Sequence, residues 1–509
     1  MTAETRDPIF SMKTVPDIRI HKANDLPPNP KGDYVLYWMI AHRRLTWNYS
    51  LQRAVDWAAS FDRPLVILEA LRVGYPWASD RFHRFVLEGM ACNKTRAEKY
   101  PVLYYPYLEP SPNKDKGLLL ALARKACIVV TDDFPAFFLP HMVASAAQKV
   151  GVALEQVDAN GLLPMAATDR IFPTAYSFRR FLQKELPRHL QETPRPDPLK
   201  GARLRVLKAL PSDITGRWPS ASDRIVRAGS EVLSAFPVDH AVAPAPIHGG
   251  SEEAQKLLNR FLRERLDDYP ENRNHPDLEG PSGLSPYLHF GHISAHLVFD
   301  RIAKREQWSP DRLSSRTAGG KSGWWGMGVA AEAFLDQLVT WREIGFNMCR
   351  LREDYDRYDS LPDWALTTLK RHEKDRRRYL YSPEELERAH THDPLWNAAQ
   401  TQLLREGRIH NYLRMLWGKK ILEWTPSPRA ALEVLIELNN KYALDGRDPN
   451  SYSGIFWILG RYDRAWGPER PFFGKVRYMS SENTARKLRV SDYIRKYSPA
   501  KNPVQTPKS

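Results

Sequence analysis

Five apolar segments recur within the first 160 residues, and they constrain the fold of this chain more than any other feature. They are nearly continuous apolar runs rather than alternating ones, which is typical of strands buried on both faces of a parallel sheet. Helical patterns at 50–61 and 80–99 separate the first three. Strands that alternate with helices predict βαβ units and an α/β fold. The predicted strands are 33–40, 64–71, 101–108, 127–134 and 151–160.

The carboxyl ends of these strands predict where a ligand could bind. Ligands of open parallel sheets lie beyond that edge, which here points to Arg43, Arg44, Asp132 and Asp133. This half of the chain contains neither GxGxxG nor GxxxxGK[ST]. We therefore expect no standard dinucleotide or P-loop site in it.

The second half of the chain has a helical pattern. Ser382-Pro383 with Glu385 predicts a capping box, Gly407 predicts a helix end, and Ser427-Pro428 predicts another helix start. No strand pattern of any strength returns after residue 251. The predicted organisation is an irregular arm (1–32), an α/β domain (33–190), a Pro-rich inter-domain linker (191–250), an all-helical domain (251–480) and a basic tail (481–509).

Charge and cysteine content narrow the class of protein. The 509 residues carry a formal net charge of +15, from 75 Lys+Arg against 60 Asp+Glu, which favours a polyanionic partner. Three scattered cysteines argue for a reducing compartment and against disulfides or an iron–sulfur cluster. An apolar signal core and a bilayer-length apolar run are both missing from the sequence, so we predict neither secretion nor a membrane span.

Four tryptophans lie in the stretch 392–457, and three of them, Trp396, Trp417 and Trp424, stand among polar residues. Trp417 and Trp424 are seven residues apart, so on one helix they share a face about 10 Å apart along the axis. With Trp396 they form either an aromatic core stripe or an electron path to a redox cofactor.

His390 and His392 could suggest a metal site. Their spacing is short and no third ligand is near, which favours a loop.

Several motifs in the second half resemble those of the photolyase/cryptochrome family, and most closely the class II cyclobutane pyrimidine dimer (CPD) photolyases. GPSGLSPYLHFGHIS (280–294) resembles the family's flavin phosphate loop. Four more segments resemble class II signatures in the same order: THDPLWNAAQ, LRMLWGKKILEWTPSP, YALDGRDPNSYSGIFW and FGKVRYM. The resemblance covers about 35–480 and is specific from 269 onward. Agreement of several long motifs in order is a strong signal.

The resemblance implies an α/β amino-terminal Rossmann-like antenna domain followed by an all-α FAD-binding domain. It implies light-driven repair of CPDs in double-stranded DNA by an FAD that is reduced in the active state. An antenna chromophore, a deazaflavin or a folate, is possible in this family. We expect a monomer, with no membrane partner. The expected location is the cytoplasm with the nucleoid in a bacterium, or the nucleus in a eukaryote.

The family's flavin contacts fall on residues of this chain. A Gly-containing loop at the start of a helix offers N–H donors to phosphate. The alternative is an ordinary Ser-Pro helix start, which has the same sequence pattern. Arg414 and the two aspartates could tune charge on the flavin ring or form a structural ion pair. Asn439 matches the residue facing flavin N5, with Asn440 as the alternative. The implied contacts are Tyr269, Ser282, Gly283, Leu284, Ser285, Arg414, Asn439, Asp445 and Asp448.

The resemblance also places an electron path and a lesion pocket. Trp396, Trp417 and Trp424 match the family's electron-transfer tryptophans. A base that undergoes chemistry must be flipped out of the helix into a pocket, usually with aromatic walls; Trp341 and Trp457 are the expected walls, and core packing is the alternative. Arg477, helped by Lys475, Arg350 and Arg352, is expected to hold phosphates. The implied lesion contacts are Gln337, Trp341, Asn411, Met415, Trp457 and Arg477.

Two residues depart from the CPD pattern. Gln337 stands where CPD photolyases usually have Glu, and it resembles the (6-4) photolyases. Asn411 stands where class II members usually have a smaller residue. A (6-4) photolyase and a cryptochrome-like blue-light sensor therefore remain as alternatives, although (6-4) repair needs a proton donor and no paired histidines are evident.

Overall fold

Six strands of the amino-terminal part form one sheet. The structure is a computed structural model that describes residues 14–227 and 230–498. The strand order is β1-β6-β5-β2-β3-β4, and every pair is parallel except β1 with β6. The strands are β1 (Ile20–Lys22), β2 (Tyr34–Met39), β3 (Leu65–Leu71), β4 (Val102–Leu108), β5 (Ala126–Asp132) and β6 (Leu154–Val157).

The five predicted parallel strands are confirmed, with shorter ends. All six residues of β2 and all seven of β5 are buried, which explains their unbroken apolar runs. The prediction of an irregular arm over 1–32 is wrong at β1, which pairs antiparallel with β6. This edge strand has only three residues, none of them fully buried, so it leaves no apolar run to detect. Residues 1–13 lie outside the described part of the chain.

Within the described residues up to 250, eight α-helices accompany the sheet and the segment that follows it. They are α1 (Tyr49–Phe61), α2 (Asp80–Ala97), α3 (Leu118–Ala123), α4 (Leu139–Ala147), α5 (Ala175–Glu185), α6 (Ser212–Arg217), α7 (Asp223–Val226) and α8 (Ser230–Leu233). The last three lie in the segment predicted as a linker. Trp218 of that segment is buried, and its indole donates to the carbonyl of Lys114 at 3.0 Å, so this segment packs on the α/β part.

The described residues after 250 form helices and loops. The helices are α9 (Ser251–Glu264), α10 (Tyr269–Asn272), α11 (Ser285–His289), α12 (Ala295–Arg305), α13 (Val329–Leu335), α14 (Arg342–Leu351), α15 (Asp363–Arg371), α16 (Pro383–Glu387), α17 (Pro394–Glu406), α18 (Asn411–Trp424), α19 (Pro428–Tyr442), α20 (Pro449–Ile458), α21 (Ser481–Lys487) and α22 (Ser491–Tyr497). A six-residue π-helical turn, Asp336–Trp341, joins α13 to α14. The tail predicted from 481 thus begins with two helices.

Local capping explains where the main helices start and stop. Ser382 and Glu385 form the predicted capping box of α16. The Ser427 hydroxyl accepts from Ala430 N at the start of α19, as predicted. Asp393 caps α17, which ends at Gly407 with φ +67°, a conformation that favours glycine. The two caps of α17 fix both ends of the helix that carries Trp396.

The α/β part and the helical part pack directly against each other. A Cβ on Gly291 would lie 2.0 Å from the Ala41 carbonyl oxygen, so only glycine permits this approach. The Glu343 carboxylate of α14 accepts from the backbone N–H groups of Leu162 and Leu163. The helical part is therefore held in a fixed position against the carboxyl ends of the strands.

Candidate functional site

A cleft of about 910 Å³ in the helical part brings most of the predicted site residues together. Its walls come from α10, α11, the π turn, α18, α20 and α22. The predicted residues that line it are Tyr269, Ser282, Gly283, Leu284, Ser285, Gln337, Trp341, Asn411, Arg414, Met415, Asp445, Asp448 and Trp457. The predicted residues outside its lining are Trp396, Trp417, Trp424, Asn439 and Arg477.

The loop before α11 forms one wall of the cleft. Gly283 has φ +74°, which favours glycine. The Ser282 hydroxyl accepts from Leu284 N at 3.3 Å, and the Leu284 side chain is buried. The loop is thereby anchored from below while its polar atoms stay on the cleft side.

A guanidinium–carboxylate pair lies beside this loop. Arg414 Nη2 lies 3.0 Å from Asp445 Oδ1 and 3.4 Å from Oδ2. Burial raises the pKa of Asp445, but the Arg414 charge together with the Ser285 hydroxyl holds it below the usual value. Asp445 is therefore ionised at neutral pH, and the pair presents a fixed plus and minus charge to the cleft.

Asp448 connects the start of α20 to α11. Its Oδ1 accepts from Asn450 N at 2.9 Å, and its Oδ2 lies 3.2 Å from His289 Nδ1. Burial lowers the pKa of His289 even though Asp448 opposes the shift. His289 is thus neutral at physiological pH and can donate one hydrogen bond to Asp448.

The two neighbouring asparagines have different surroundings. Asn440 donates to the Tyr452 hydroxyl and accepts from Arg447 N, which closes the turn after α19. Asn439 donates to the Ser451 hydroxyl at 2.8 Å, and Ser451 lines the cleft. Asn439 is 3% exposed and stands behind Ser451. The structure therefore gives Asn440 a role in the backbone turn and places Asn439 next to the cleft wall.

The three predicted tryptophans are in contact. Trp396 Nε1 donates to the Trp417 carbonyl at 2.9 Å, and the rings of Trp396 and Trp424 lie 5.5 Å apart between centroids. Trp417 Nε1 donates to Gln400 Oε1. All three indoles are at most 1% exposed. Trp396, from another helix, thus bridges the two tryptophans that share α18.

The row of rings continues from Trp424 to the surface. Its ring lies 5.4 Å from Tyr381 and 5.3 Å from His392. His392 is exposed, stacks on Tyr379 at 3.8 Å and is hydrogen-bonded to the Tyr381 hydroxyl. Within the described residues, no cluster of histidine, cysteine and carboxylate side chains could hold a metal ion.

Two half-buried tryptophans form a corner at the mouth of the cleft. The rings of Trp341 and Trp457 lie 6.5 Å apart at an interplanar angle of 72°. Trp341 directly precedes α14, and Trp457 lies on α20. The two helices can cross closely because Gly345 has no Cβ; a Cβ there would lie 2.7 Å from the Pro449 carbonyl oxygen. Gln337 stands one turn before Trp341 on the π turn. A flat ring can enter this corner against two aromatic faces.

Of the four predicted phosphate contacts, Arg477 lies at this corner. Arg477 stacks over Trp457 at 5.9 Å and over Trp466 at 5.3 Å. Lys475 is exposed and lies 3.7 Å from Glu469. Arg350 and Arg352 form ion pairs with Asp169 and Asp354, respectively. Arg477 is therefore the basic residue among the four that borders the tryptophan corner directly.

Several cleft residues were missed by the sequence analysis. Arg342 follows Trp341, is 6% exposed, and donates to the Asn160 carbonyl at 2.8 Å. His410 is buried, and its ring nitrogens have no partner among the described residues. Tyr493 and Tyr497 of α22 line the end of the cleft. Their spacing of four residues is a helical signal, but the basic residues around them favoured a solvated tail.

A second, smaller cavity lies beyond the carboxyl ends of the strands. Of the four residues predicted at this edge, Arg43 lines it and Arg44, Asp132 and Asp133 do not. Asp132 instead accepts three backbone N–H groups of the turn after β2. The cavity is lined mainly by apolar and aromatic side chains.

Arg447 brings an unused donor to this smaller cavity. It has φ +66°, and its guanidinium lies 3.6 Å over the Phe82 ring. Its Nη2 has no hydrogen-bond partner among the described residues. The cavity therefore combines apolar walls with a buried guanidinium that has a free N–H donor.

The chain was compared with protein-family models and with curated proteins. No protein-family model matches it. A deoxyribodipyrimidine photo-lyase of Methanothermobacter thermautotrophicus is 34% identical over 477 residues, covering 94% of this chain and 97% of the relative. Enzymes of the same name from Arabidopsis thaliana and Potorous tridactylus are 33% and 34% identical, covering 90% and 91% of this chain and 88% and 81% of their own lengths.

A solved structure shares the fold. A bacterial class III photolyase from Agrobacterium tumefaciens superposes with a TM-score of 0.63 at 16% identity, covering 92% of this chain and 86% of the other. This likeness agrees with an α/β part followed by a helical part. In the described part of the chain, no helix is both long and apolar enough to cross a membrane.

Proposed function

This chain belongs to the deoxyribodipyrimidine photo-lyase family, and we propose that its large cleft holds FAD beside a pyrimidine dimer flipped out of DNA. The enzyme is a lyase that repairs cyclobutane pyrimidine dimers using light. The observation that carries the proposed site is one cleft with two chemically different ends. The loop Ser282–Ser285 and the Arg414–Asp445 pair form the polar end, and the Trp341–Trp457 corner forms the aromatic end.

The polar end fits a flavin dinucleotide. Arg342 brings a buried positive charge, and the loop brings backbone N–H groups that suit a diphosphate. His410 offers ring nitrogens that the protein leaves unpartnered. Reduced FAD bound here would supply, on absorbing blue light, an electron that splits the cyclobutane ring and then returns to the flavin. The chain's part is to bind, orient and exclude water.

The charges beside the cofactor are fixed by the protein. Asp445 is ionised because Arg414 and Ser285 lower its pKa. The pair therefore keeps one orientation and favours a particular charge distribution on a bound ring. Asn439 is the residue that we propose to act on flavin N5, and its bond to Ser451 of the cleft wall holds it in place.

The buried tryptophans are proposed as a relay for electrons between the cleft and the surface. Trp417, Trp396 and Trp424 follow one another in contact, and Trp424 touches His392 at the surface. The indoles are shielded from solvent, so their surroundings change little when charge moves along them. The function of this relay is to keep the cofactor reduced.

The aromatic end is proposed to hold the lesion. Stacking on Trp341 and Trp457 is worth about 1–3 kcal/mol per base, which offsets part of the cost of flipping. Gln337 can donate and accept a hydrogen bond with the dimer but has no titratable proton. Asn411 and Met415 complete the wall, and Arg477 lies where a DNA phosphate could bind.

Repair of (6-4) photoproducts, the alternative that Gln337 suggested, is less well supported. That reaction needs a proton donor at the lesion. Among the described residues, His410 is the histidine that lines the cleft, and burial lowers its pKa to about 4. A neutral imidazole is a poor acid at physiological pH, so the cleft favours cyclobutane dimers.

The smaller cavity is proposed to hold an antenna chromophore. Its aromatic lining suits a flat ring system, and the free Nη2 of Arg447 suits an anionic or carbonyl oxygen on it. His289 lines this cavity and bonds Asp448 of the large cleft, so the two cavities share a wall. A deazaflavin and a folate both have suitable rings and oxygens.

The monomeric state and the cellular location stay predictions.

A repair assay tests the proposed function. Protein purified in the dark is checked for flavin absorption, reduced, and illuminated with an oligonucleotide that contains one cyclobutane dimer. We expect loss of the dimer in the light and none in a dark control. An otherwise identical oligonucleotide with a (6-4) photoproduct serves as the comparison substrate and tests the alternative lesion. Bound flavin without repair of the cyclobutane dimer would contradict the proposal.

A further inference from the structure

Helix α5 of the amino-terminal part turns one face toward the catalytic cleft. Its buried residues recur at helical spacing: Ala175, Phe178, Arg179, Leu182 and Gln183. Arg179 and Gln183 are the polar members of this face and stand one turn apart. Polar side chains at buried positions need partners, and both find theirs in segments that line the cleft.

Arg179 makes a two-pronged ion pair with Asp336, the first residue of the π turn. Its Nε lies 2.8 Å from Oδ1 and its Nη2 lies 3.2 Å from Oδ2. The two residues are 5% and 8% exposed. This planar fork fixes direction as well as distance. Gln337, the next residue, and Trp341, at the end of the turn, both line the cleft.

The same face of α5 holds a glycine-rich loop at the cleft mouth. Gln183 accepts from Gly319 N at 2.7 Å and donates to the Gly320 carbonyl at 3.0 Å. Arg179 Nη1 adds a contact of 3.4 Å to the Gly319 carbonyl. The next two residues of the loop, Lys321 and Ser322, line the cleft. One helix face therefore ties two separate walls together.

The π turn requires such outside support. Hydrogen bonding from i to i+5 is rare and occurs mostly as single turns within helices, often at functional sites. A wide turn can relax to a regular α-helical turn, which would rotate the residues on it. The Arg179 guanidinium holds Asp336, the first residue of the turn, by two hydrogen bonds. It therefore opposes relaxation of the π turn to an α-helical turn at that residue.

We propose that Arg179 is the positioning residue for lesion recognition: through Asp336 it fixes the π turn that aims Gln337 and Trp341 into the lesion pocket. This inference rests on the proposed function of the cleft. Arg179 itself is absent from the cleft lining in the described structure, so it acts through its partner. A residue of the α/β part thus sets how well the helical part distinguishes damaged from intact DNA.

The test replaces the pair by apolar residues of similar size in the full-length, flavin-loaded enzyme. A buried ion pair can often be replaced in this way without loss of stability. The variant is Arg179→Met with Asp336→Leu. The control is Arg53→Met with Glu155→Leu, because Arg53 makes an equivalent fork at 2.8 and 2.9 Å on the α/β part. The readout is the ratio of Kd values for intact and dimer-containing oligonucleotides.

We expect the Arg179/Asp336 variant to lose about tenfold in this ratio, since small misplacements of contact groups have effects of this size. Its flavin content and its affinity for intact DNA should match the wild type, and the control should keep the full ratio. An unchanged ratio in the Arg179/Asp336 variant would overturn the inference. If the wild type itself shows no preference for the dimer, the proposed function fails instead.

A single substitution covers the case in which the double variant does not fold. Arg179→Lys keeps the buried positive charge but cannot form the fork. We expect it to lower the Kd ratio while flavin content stays unchanged. A merely structural role predicts loss of both together or of neither, and either result would overturn the inference.

Discussion

The indole rings of Trp396 and Trp424 meet edge to face, with 5.5 Å between their centroids, although they belong to different helices. Trp396 thereby joins the two tryptophans of α18 into one row. We predict that Trp396→Phe slows photoreduction of the oxidised enzyme by about tenfold or more, equivalent to about 1.4 kcal/mol in the barrier. The measurement is the bleaching of flavin absorption under blue light with an external reductant.

The control for this experiment is Trp218→Phe, since Trp218 is also buried but packs on the α/β part, away from the tryptophan row. Chemically reduced Trp396→Phe enzyme should repair dimers at the wild-type rate. Photoreduction at the wild-type rate in this variant would show that the row carries no electrons.

The tryptophan corner should dominate lesion affinity. Replacing Trp457 by Ala removes one stacking face, worth about 1–3 kcal/mol, which corresponds to a roughly 5- to 150-fold increase in Kd for dimer-containing DNA. Affinity for intact DNA should not change, because an intact base stays in the helix. Titration of labelled oligonucleotides measures both. Equal losses for the two DNAs would mean that Trp457 supports the fold rather than the lesion.

The side chain at position 337 should determine how the repair yield depends on pH. The amide does not titrate, so the repair yield of the wild type should be flat through the range in which a glutamate changes charge, around pH 4–6. In Gln337→Glu the yield should fall as pH rises through the pKa of the new carboxyl group. The ionised form loses its donor and repels negative charge on the dimer. A flat profile in the variant would place residue 337 away from the reacting bonds.

Glu343 predicts a pH dependence of stability. Burial raises its pKa from 4.5 to about 7, although Arg342 and two backbone N–H groups oppose the shift. A carboxyl group with a raised folded-state pKa contributes most below its unfolded pKa. That contribution, up to about 3 kcal/mol, is lost as pH rises from about 4.5 to 7.

Thermal unfolding of the wild type and Glu343→Gln across this pH range measures the effect. The variant loses one acceptor for Leu162 N or Leu163 N, so it should be less stable at low pH. The difference from the wild type should shrink as pH rises. A constant difference would show that Glu343 does not change its protonation on unfolding.

The carboxyl-terminal helix α22 should retain the flavin. The Tyr493 hydroxyl donates to Gln402 of α17 at 2.7 Å, and Tyr493 N donates to Asp277 of the facing loop at 2.8 Å. The helix thus links two cleft walls. Truncation after 490 should increase the rate of flavin release, measured by recovery of flavin fluorescence. Truncation after Ser498 is the matched control and should release flavin as the full chain does.

Patterns in the sequence predicted the parallel sheet well because its strands are buried on both faces. The three-residue edge strand β1 could not be found, since pairing with β6 rather than composition makes it a strand. Most of the cleft residues could be named from the sequence because they lie in or near motifs that resemble those of the family. Asn439 and Arg477 show what the sequence could not predict. Both match positions of the family motifs, but only the packed structure shows that Asn439 stands behind Ser451 and Arg477 beside Trp457.

The residues that were missed owe their positions to tertiary contacts. Arg342 lines the cleft directly after the π turn. A π turn has no sequence pattern from which it could have been predicted. Tyr493 lines the cleft because α22 packs on α17, far away in sequence. Arg179 finds its partner 157 residues later in the chain. Such pairs become visible only once the two parts of the chain are packed.

Fluorescence of the reduced, flavin-loaded enzyme tests most directly that one cleft holds both cofactor and lesion. We predict that an oligonucleotide with a cyclobutane dimer quenches this fluorescence, because the excited cofactor passes an electron to a lesion in contact with it. The intact oligonucleotide should leave the fluorescence unchanged, and Trp341→Ala should weaken the quenching. Equal fluorescence with damaged and intact DNA, at concentrations where both are bound, would contradict the shared cleft.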